Sequence, residues 1–172
     1  MKLVLIRRDF VRCQILSRKI SRRHIAGEGL EKLKIEYYLF MIRYYVHEKM
    51  IMDACKSYQI IYDTIAKAEG DLADELKAYE GGKIKERSFE NFIIYLLVSP
   101  YDNEKVDMMN IVKKNYARGL EDSPELSRYI DKLLAYELMP FSEDQITTVM
   151  TKFQPFREDT ENSKAHLRDF LR

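Results

Sequence analysis

The sequence predicts an all-α protein, a solenoid of antiparallel helical hairpins similar to tetratricopeptide-type repeats, and three observations carry that expectation. Every strong apolar pattern in the 172 residues recurs at three- and four-residue steps. The six Gly and four Pro fall between the periodic segments, which favours helices over strands. Two helices, near Leu33–Val46 and Phe89–Val98, are apolar on two sides, as a helix stacked between neighbours must be. With 46% hydrophobic and 33% charged residues the chain can build one ordinary core or one short array of repeats.

Taken in order, Leu3, Val4 and Ile6 suggest the end of a helix without a cap before it, and Asp9 opens a second helix with the stripe Phe10, Cys13, Ile15, Leu16, Ile20. Gly27 and Gly29 punctuate the connection that follows. Leu33 to Thr64 is the most informative stretch. Its first helix has one stripe of Leu30, Leu33, Tyr37, Met41 and Tyr44 and another of Ile35, Tyr38, Leu39, Ile42 and Val46. Its second helix has one stripe, Ile51, Ala54, Cys55, Tyr58, Ile61, Tyr62 and Ile65, leaving Asp53, Lys56, Ser57 and Asp63 on the wetter side. A short turn near His47 to Lys49 makes the pair a hairpin, and the small Ala54 lets its backbones approach.

Ala66 to Lys85 is charged, with a thin stripe of Leu72, Leu76 and Tyr79 and a Gly81-Gly82 end, and reads as an extra, mobile, partly helical segment. Ser88 is placed to cap the next helix, Pro100 breaks it, and Asp102 or Asn103 caps a helix carrying Val106, Met109, Val112 and Tyr116. Ser123-Pro124 opens a helix with Leu126, Tyr129, Ile130, Leu133, Leu134 and Leu138, closed by Met139-Pro140. Ser142 and Gln145 form a capping-box pattern ahead of Ile146, Val149, Met150 and Phe153, and Gln154-Pro155 ends that helix. Asn162 or Ser163 starts a last helix with Leu167, Phe170 and Leu171. From the expected cap at Ser88 to that at Ser123 is 35 residues, close to the roughly 34-residue tetratricopeptide period.

The net charge of +1 conceals a polarity. Met1 to His24 carries Lys2, Arg7, Arg8, Arg12, Arg18, Lys19, Arg22 and Arg23 against Asp9 alone, whereas Glu121 to Glu161 carries ten acids against four bases. Such asymmetry can order partners in an assembly, but two differently solvated helix faces are the simpler reading. Cys13 and Cys55 lie on apolar stripes and read as packed thiols in a reducing compartment rather than a disulfide. No apolar run reaches membrane-spanning length and the amino terminus lacks a secretory hydrophobic region, so a soluble intracellular protein is expected.

Reaction chemistry is hard to assemble from these residues. His24, His47 and His166 belong to no His-Glu-x-x-His pattern, and the two thiols form no CxxC pair. Gly81-Gly82-Lys83 resembles the end of a phosphate-binding loop, but Lys77 replaces the earlier glycine and Ile84 the Ser or Thr that should follow the lysine. No catalytic, cofactor-binding or metal-ligating residue is therefore expected. The arginine cluster Arg7 to Arg23 leaves nucleic-acid binding as an alternative, without a recognised reading motif.

A family resemblance does emerge. Lys34-Ile35-Glu36-Tyr37-Tyr38, Met41-Ile42-Arg43, His47-Glu48, Ala54-Cys55-Lys56-Ser57-Tyr58, Ile61-Tyr62-Asp63-Thr64 and Ser99-Pro100-Tyr101-Asp102-Asn103-Glu104 closely resemble the PCI-domain family of 26S proteasome lid subunits known as non-ATPase subunit five or regulatory subunit twelve. Arg8-Asp9-Phe10-Val11-Arg12, Ser17-Arg18-Lys19-Ile20 and Glu137-Leu138-Met139 fit the same family. Leu72 to Lys85 is longer than the family's equivalent, and Phe141 to Arg172 matches loosely. The resemblance implies a helical-repeat region over 1–139, a segment over 140–172 leading toward a winged helix absent from this sequence, and hence a middle fragment. It further implies a non-catalytic scaffold of the regulatory particle in cytoplasm and nucleus. Its partners would be PCI- and MPN-type lid subunits and possibly the core particle, with no cofactor, small-molecule substrate or membrane. Tyr37, Tyr38, Ala54, Tyr58, Pro100, Tyr101, Asp102 and Asn103 are the expected packing or interface positions. A weaker likeness to a COP nine signalosome PCI subunit is of the same kind.

Overall fold

A computed structural model describes residues 10–20, 22–78, 83–136, 142–153, 164, 165 and 168, and its regular structure among these is entirely helical. Contacts divide the chain between Ser88 and Phe89 into two units.

The first unit contains α1 (Phe10–Lys19), a 3-10 turn (Arg22–Ile25), α2 (Glu31–His47), α3 (Ile51–Ala66), α4 (Gly70–Ala78) and the beginning of α5 (Ile84–Val98). Its dominant pairing is the α2/α3 hairpin. Lys49 turns the chain at φ 58°, while the amides of Lys49 and Met50 donate to Val46 O and Tyr45 O at 3.1 and 2.8 Å. This is a Schellman closure with Lys where glycine is usual, and it pairs the last carbonyls of α2. Burial on α2 is two-sided: Ile35, Tyr38, Leu39, Met41, Ile42 and Tyr44 are all inside. Phe40, outside both expected stripes, is also buried, whereas Leu33 is 54% exposed.

On α3, Ile51, Ala54, Cys55, Tyr58 and Ile61 are buried as the stripe requires, while Tyr62 and Ile65 are half-buried. Ser57 corrects the expectation of a wet flank, because it is 2% exposed. Its hydroxyl donates to Asp53 O at 2.7 Å, and a hydroxyl satisfied within its own helix is cheap to bury. α1 lies against α2 through Cys13, which joins Phe40, Met41 and Tyr44 in one cluster flanked by Tyr37 and Tyr45. Only part of its expected stripe is inside, since Ile15 is 49% exposed. The stretch read as mobile and partly helical contains α4, in which Leu76 is buried and Leu72 half-buried. Glu75 accepts a hydrogen bond from Lys32 Nζ at 2.7 Å.

The second unit holds the rest of α5 with α6 (Asn103–Asn115), α7 (Ala117–Glu121), α8 (Pro124–Leu134) and α9 (Glu143–Lys152). Phe89, Phe92, Ile93, Ile94, Tyr95, Leu96 and Leu97 are all buried, so α5 is enclosed around its circumference. Ser88 does not cap this helix. α5 begins at Ile84, and the Ser88 hydroxyl donates back to Ile84 O at 2.6 Å from within the helix. The 35-residue spacing thereby loses its first anchor.

Asp102 does cap α6, accepting from the Lys105 amide at 2.8 Å. The five-residue α7, unforeseen in the sequence, seats Leu120 in the core. Pro124 opens α8, although Ser123 makes no side-chain capping bond, and Leu126, Tyr129 and Ile130 are buried. Each fully buried aliphatic of this kind contributes roughly 1.5–3 kcal/mol. The Ser142–Gln145 capping box forms in full, and Ile146, Val149 and Phe153 pack inward. The Phe153 ring meets Tyr95 edge-on at 6.0 Å. The expected elements at Met1–Arg7, the Asp9 start, Gly81-Gly82, the Met139-Pro140 and Gln154-Pro155 stops and the apolar residues Leu167, Phe170 and Leu171 lie outside the described residues.

Candidate functional site

The eight positions singled out in the sequence fall into two groups, one in each unit. In the first, Tyr37 and Tyr38 are neighbours on α2 with rings edge-on at 5.2 Å, Tyr37 half-buried beside the Cys13 cluster and Tyr38 buried. Ala54 is wholly buried on α3, and Tyr58, one turn later, is 4% exposed. Tyr38, Ala54 and Tyr58 are thus buried, and Tyr37 is partly so.

The second group forms the connection between α5 and α6. Pro100, Tyr101, Asp102 and Asn103 are all exposed. Tyr101 is nevertheless fixed: its hydroxyl donates to Leu133 O at 3.1 Å, and its ring lies 6.2 Å from that of Tyr136. Beneath this turn is a residue that sequence reading missed. Lys105 is 3% exposed and its Nζ donates to Leu97 O and Ser99 O at 2.6 and 2.8 Å, closing the carboxyl end of α5. A cation there also answers the partial negative charge of the helix terminus. Only its place three residues after the Asp102 cap could have hinted at this, because its acceptors are backbone carbonyls.

Among the described residues no group of three or more His, Cys, Asp and Glu is placed to hold a metal, and no helix is long and apolar enough to cross a membrane. Lys83 is exposed and Ile84 is buried in the core, so the place of a magnesium-binding hydroxyl is taken by a packing residue. His24 is exposed, His47 Nδ1 sits 3.1 Å from Glu48 Oε1, and His166 lies outside the described residues. Cys13 and Cys55 are buried free thiols.

An open cleft of about 400 Å³ is lined by Glu90, Thr147, Thr148, Thr151 and Lys152. Its threonine hydroxyls donate to Glu143 O, Asp144 O and Thr147 O within α9 itself, so their protons are committed. Burial pushes the Tyr95 hydroxyl far above the ordinary phenol range. Tyr129 is raised by burial and then by Glu125, and Tyr44 by burial and then by Glu48. These are packed phenols, not activated ones.

The described residues thus form an all-helical arrangement built on a packed hairpin. Residues 1–69 match the family described as PSMD12/CSN4, N-terminal. The 26S proteasome regulatory subunit rpn501 of Schizosaccharomyces pombe is 29% identical over 138 residues, covering 80% of this chain and 28% of its own length. The 26S proteasome non-ATPase regulatory subunit 12 of Dictyostelium discoideum is 30% identical over 142 residues, covering 83% of this chain and 29% of its own. Homolog A of that subunit in Arabidopsis thaliana is 40% identical over 166 residues, covering 82% of this chain and 34% of its own. The chain is similar to this family of 26S proteasome regulatory subunits and spans about a third or less of the length of these relatives.

Proposed function

We propose that this chain is a non-catalytic scaffold segment of the 26S proteasome lid, in the 19S regulatory particle, serving subunit assembly in ubiquitin-dependent degradation. The observation that carries the reading is similarity to regulatory subunits over 80–83% of the chain. The all-helical architecture with its α2/α3 hairpin supports it.

On this reading Tyr37, Tyr38, Ala54 and Tyr58 shape the hairpin, while Pro100, Tyr101, Asp102 and Asn103 present a turn to a neighbour. The partners are PCI- and MPN-type lid subunits, and the core particle in addition; the compartments are cytoplasm and nucleus. Residues 1–139 form the helical-repeat region of a PCI-type subunit, with 140–172 leading on from it. A signalosome role has one observation behind it, the inclusion of CSN4 in the family's description. The relatives' own names favour the proteasome.

The test is affinity purification of the tagged chain in its natural full-length context from its own cells. Lid subunits in stoichiometric yield are the expected result; signalosome subunits in their place, or neither, would reject the proposal. Lys83→Ala should leave that yield unchanged, because the side chain is exposed.

A further inference from the structure

Helix α1 has one face buried and another left open. Cys13 anchors it on α2 and is completely buried. On the far side, Val11 is 70% and Ile15 49% exposed, and their i,i+4 spacing sets them side by side along one ridge. Arg18, seven residues beyond Val11 and three beyond Ile15, continues that ridge, and Arg12 and Lys19 flank it; all three are exposed. Within the segment from Phe10 to Gly27 itself there is no acidic residue.

We propose that the outward face of α1 docks an amphipathic helix of a neighbouring protein chain, one that carries an apolar i, i+4 pair between acidic residues. The surface has the two parts such a helix needs. Val11 and Ile15 give a short apolar seam, which loses unfavourable hydration when covered, and the flanking cations select an acidic partner and steer its approach. Charge complementarity decides the sign of the occupant. The shape decides its class: two aliphatics at the centre of the ridge would lie unrewarded against a phosphate backbone, whose proteins rely on polar, basic and stacking aromatic contacts. An anionic membrane is served no better, since the opposite face of α1 is committed to α2 and the exposed seam offers only two aliphatic side chains for insertion. This inference deepens the scaffold reading by naming a surface and the chemistry of its partner, and it rests on that reading.

The probe is a fluorescent, stapled helical peptide with leucines at i, i+4 and i+7 between glutamates, titrated against the full chain. Its counterpart carries lysines in place of the glutamates, and a single-stranded RNA and phosphatidylserine vesicles are titrated in parallel. The glutamate peptide should bind saturably, lose affinity with added salt, and bind at least tenfold more weakly to Ile15→Asp. The double variant Arg18→Glu/Lys19→Glu should exchange its preference for the lysine peptide, a rescue that an unfolded chain could not give. Failure of the glutamate peptide to bind, indifference to these substitutions, or tighter binding of RNA or vesicles would overturn the proposal. Purification with lid subunits reports separately on the scaffold reading: a chain that enters the lid yet ignores the peptide refutes this surface alone.

Discussion

Gly119 lies so close to the ring of Phe89 that a methyl group on it would come within 2.6 Å of Cζ and 2.9 Å of both Cε atoms. The ring has little freedom to yield. It is buried, with Phe92 and Tyr116 each centred 6.3 Å away. The short α7 is therefore held against α5 at a distance that only glycine permits.

Gly119→Ala sets two effects against each other. Alanine in a helix gains up to about 1 kcal/mol over glycine, while overpacking a fixed ring costs about 1–3 kcal/mol. Steric cost should win, with a net loss on the order of 1 kcal/mol and a lower melting temperature. A Gly119→Ala chain that melts higher than the parent would show that Phe89 moves aside freely.

Lys105 supports a second expectation. Substitution by Met keeps the length and apolar stem but leaves Leu97 O and Ser99 O without their charged donor. Unpaired buried carbonyls cost about 1–3 kcal/mol each, so Lys105→Met should destabilise by roughly 2–4 kcal/mol in urea unfolding. The loss should be nearly the same at low and high salt, because the ammonium is buried. Substituting Lys113, whose bridge to Asp131 is exposed, should cost under about 1 kcal/mol.

What was legible in the sequence divides by range. The α2/α3 hairpin could be read because its burial follows helical spacing over many residues, and the Asp102 and Ser142 caps because their partners are three residues away. Ser88 looked like a cap because an apolar run begins after it. The helix instead reaches back to Ile84, whose burial is a tertiary contact that spacing does not announce. Ser57 was placed outside on polarity, although its hydroxyl is satisfied by its own helix. Among the site positions, Ala54 and Tyr58 sit on a clear stripe. The bracing of Tyr101 against Leu133, 32 residues away, has no local signal.

Alkaline pH supplies a third expectation. The Tyr95 phenol is buried and its pKa is raised above the ordinary value of 10. The folded state thus holds a proton that the unfolded chain gives up first. Its contribution is fully present below about pH 10 and is lost as pH rises from there toward the folded value, by up to about 1.4 kcal/mol per pH unit. Urea midpoints should fall between pH 9.5 and 11, and fall less steeply in Tyr95→Phe. Equal slopes in the two chains would assign the alkaline loss to other groups.

The last expectation joins hairpin packing to assembly. Ala54 is completely buried on α3, which forms with α2 the most extensive helix pairing among the described residues, with the buried Cys55 beside it and Tyr58 one turn on. An arginine there must either force α2 and α3 apart or leave a guanidinium in an apolar contact, and both carry costs: overpacking about 1–3 kcal/mol, and a buried unpaired charge several more. Ala54→Ser adds one small hydroxyl that can donate to the carbonyl of Met50 four residues back, so it should cost far less. Thermal melts should rank the chains parent, then Ala54→Ser, then Ala54→Arg by a wide margin. If the scaffold reading is right, incorporation into the lid should follow the same order, because a neighbour can engage the hairpin only while its two helices keep their spacing. Full incorporation of an Ala54→Arg chain that melts far below the parent would separate lid entry from this hairpin and place the binding surface elsewhere in the chain.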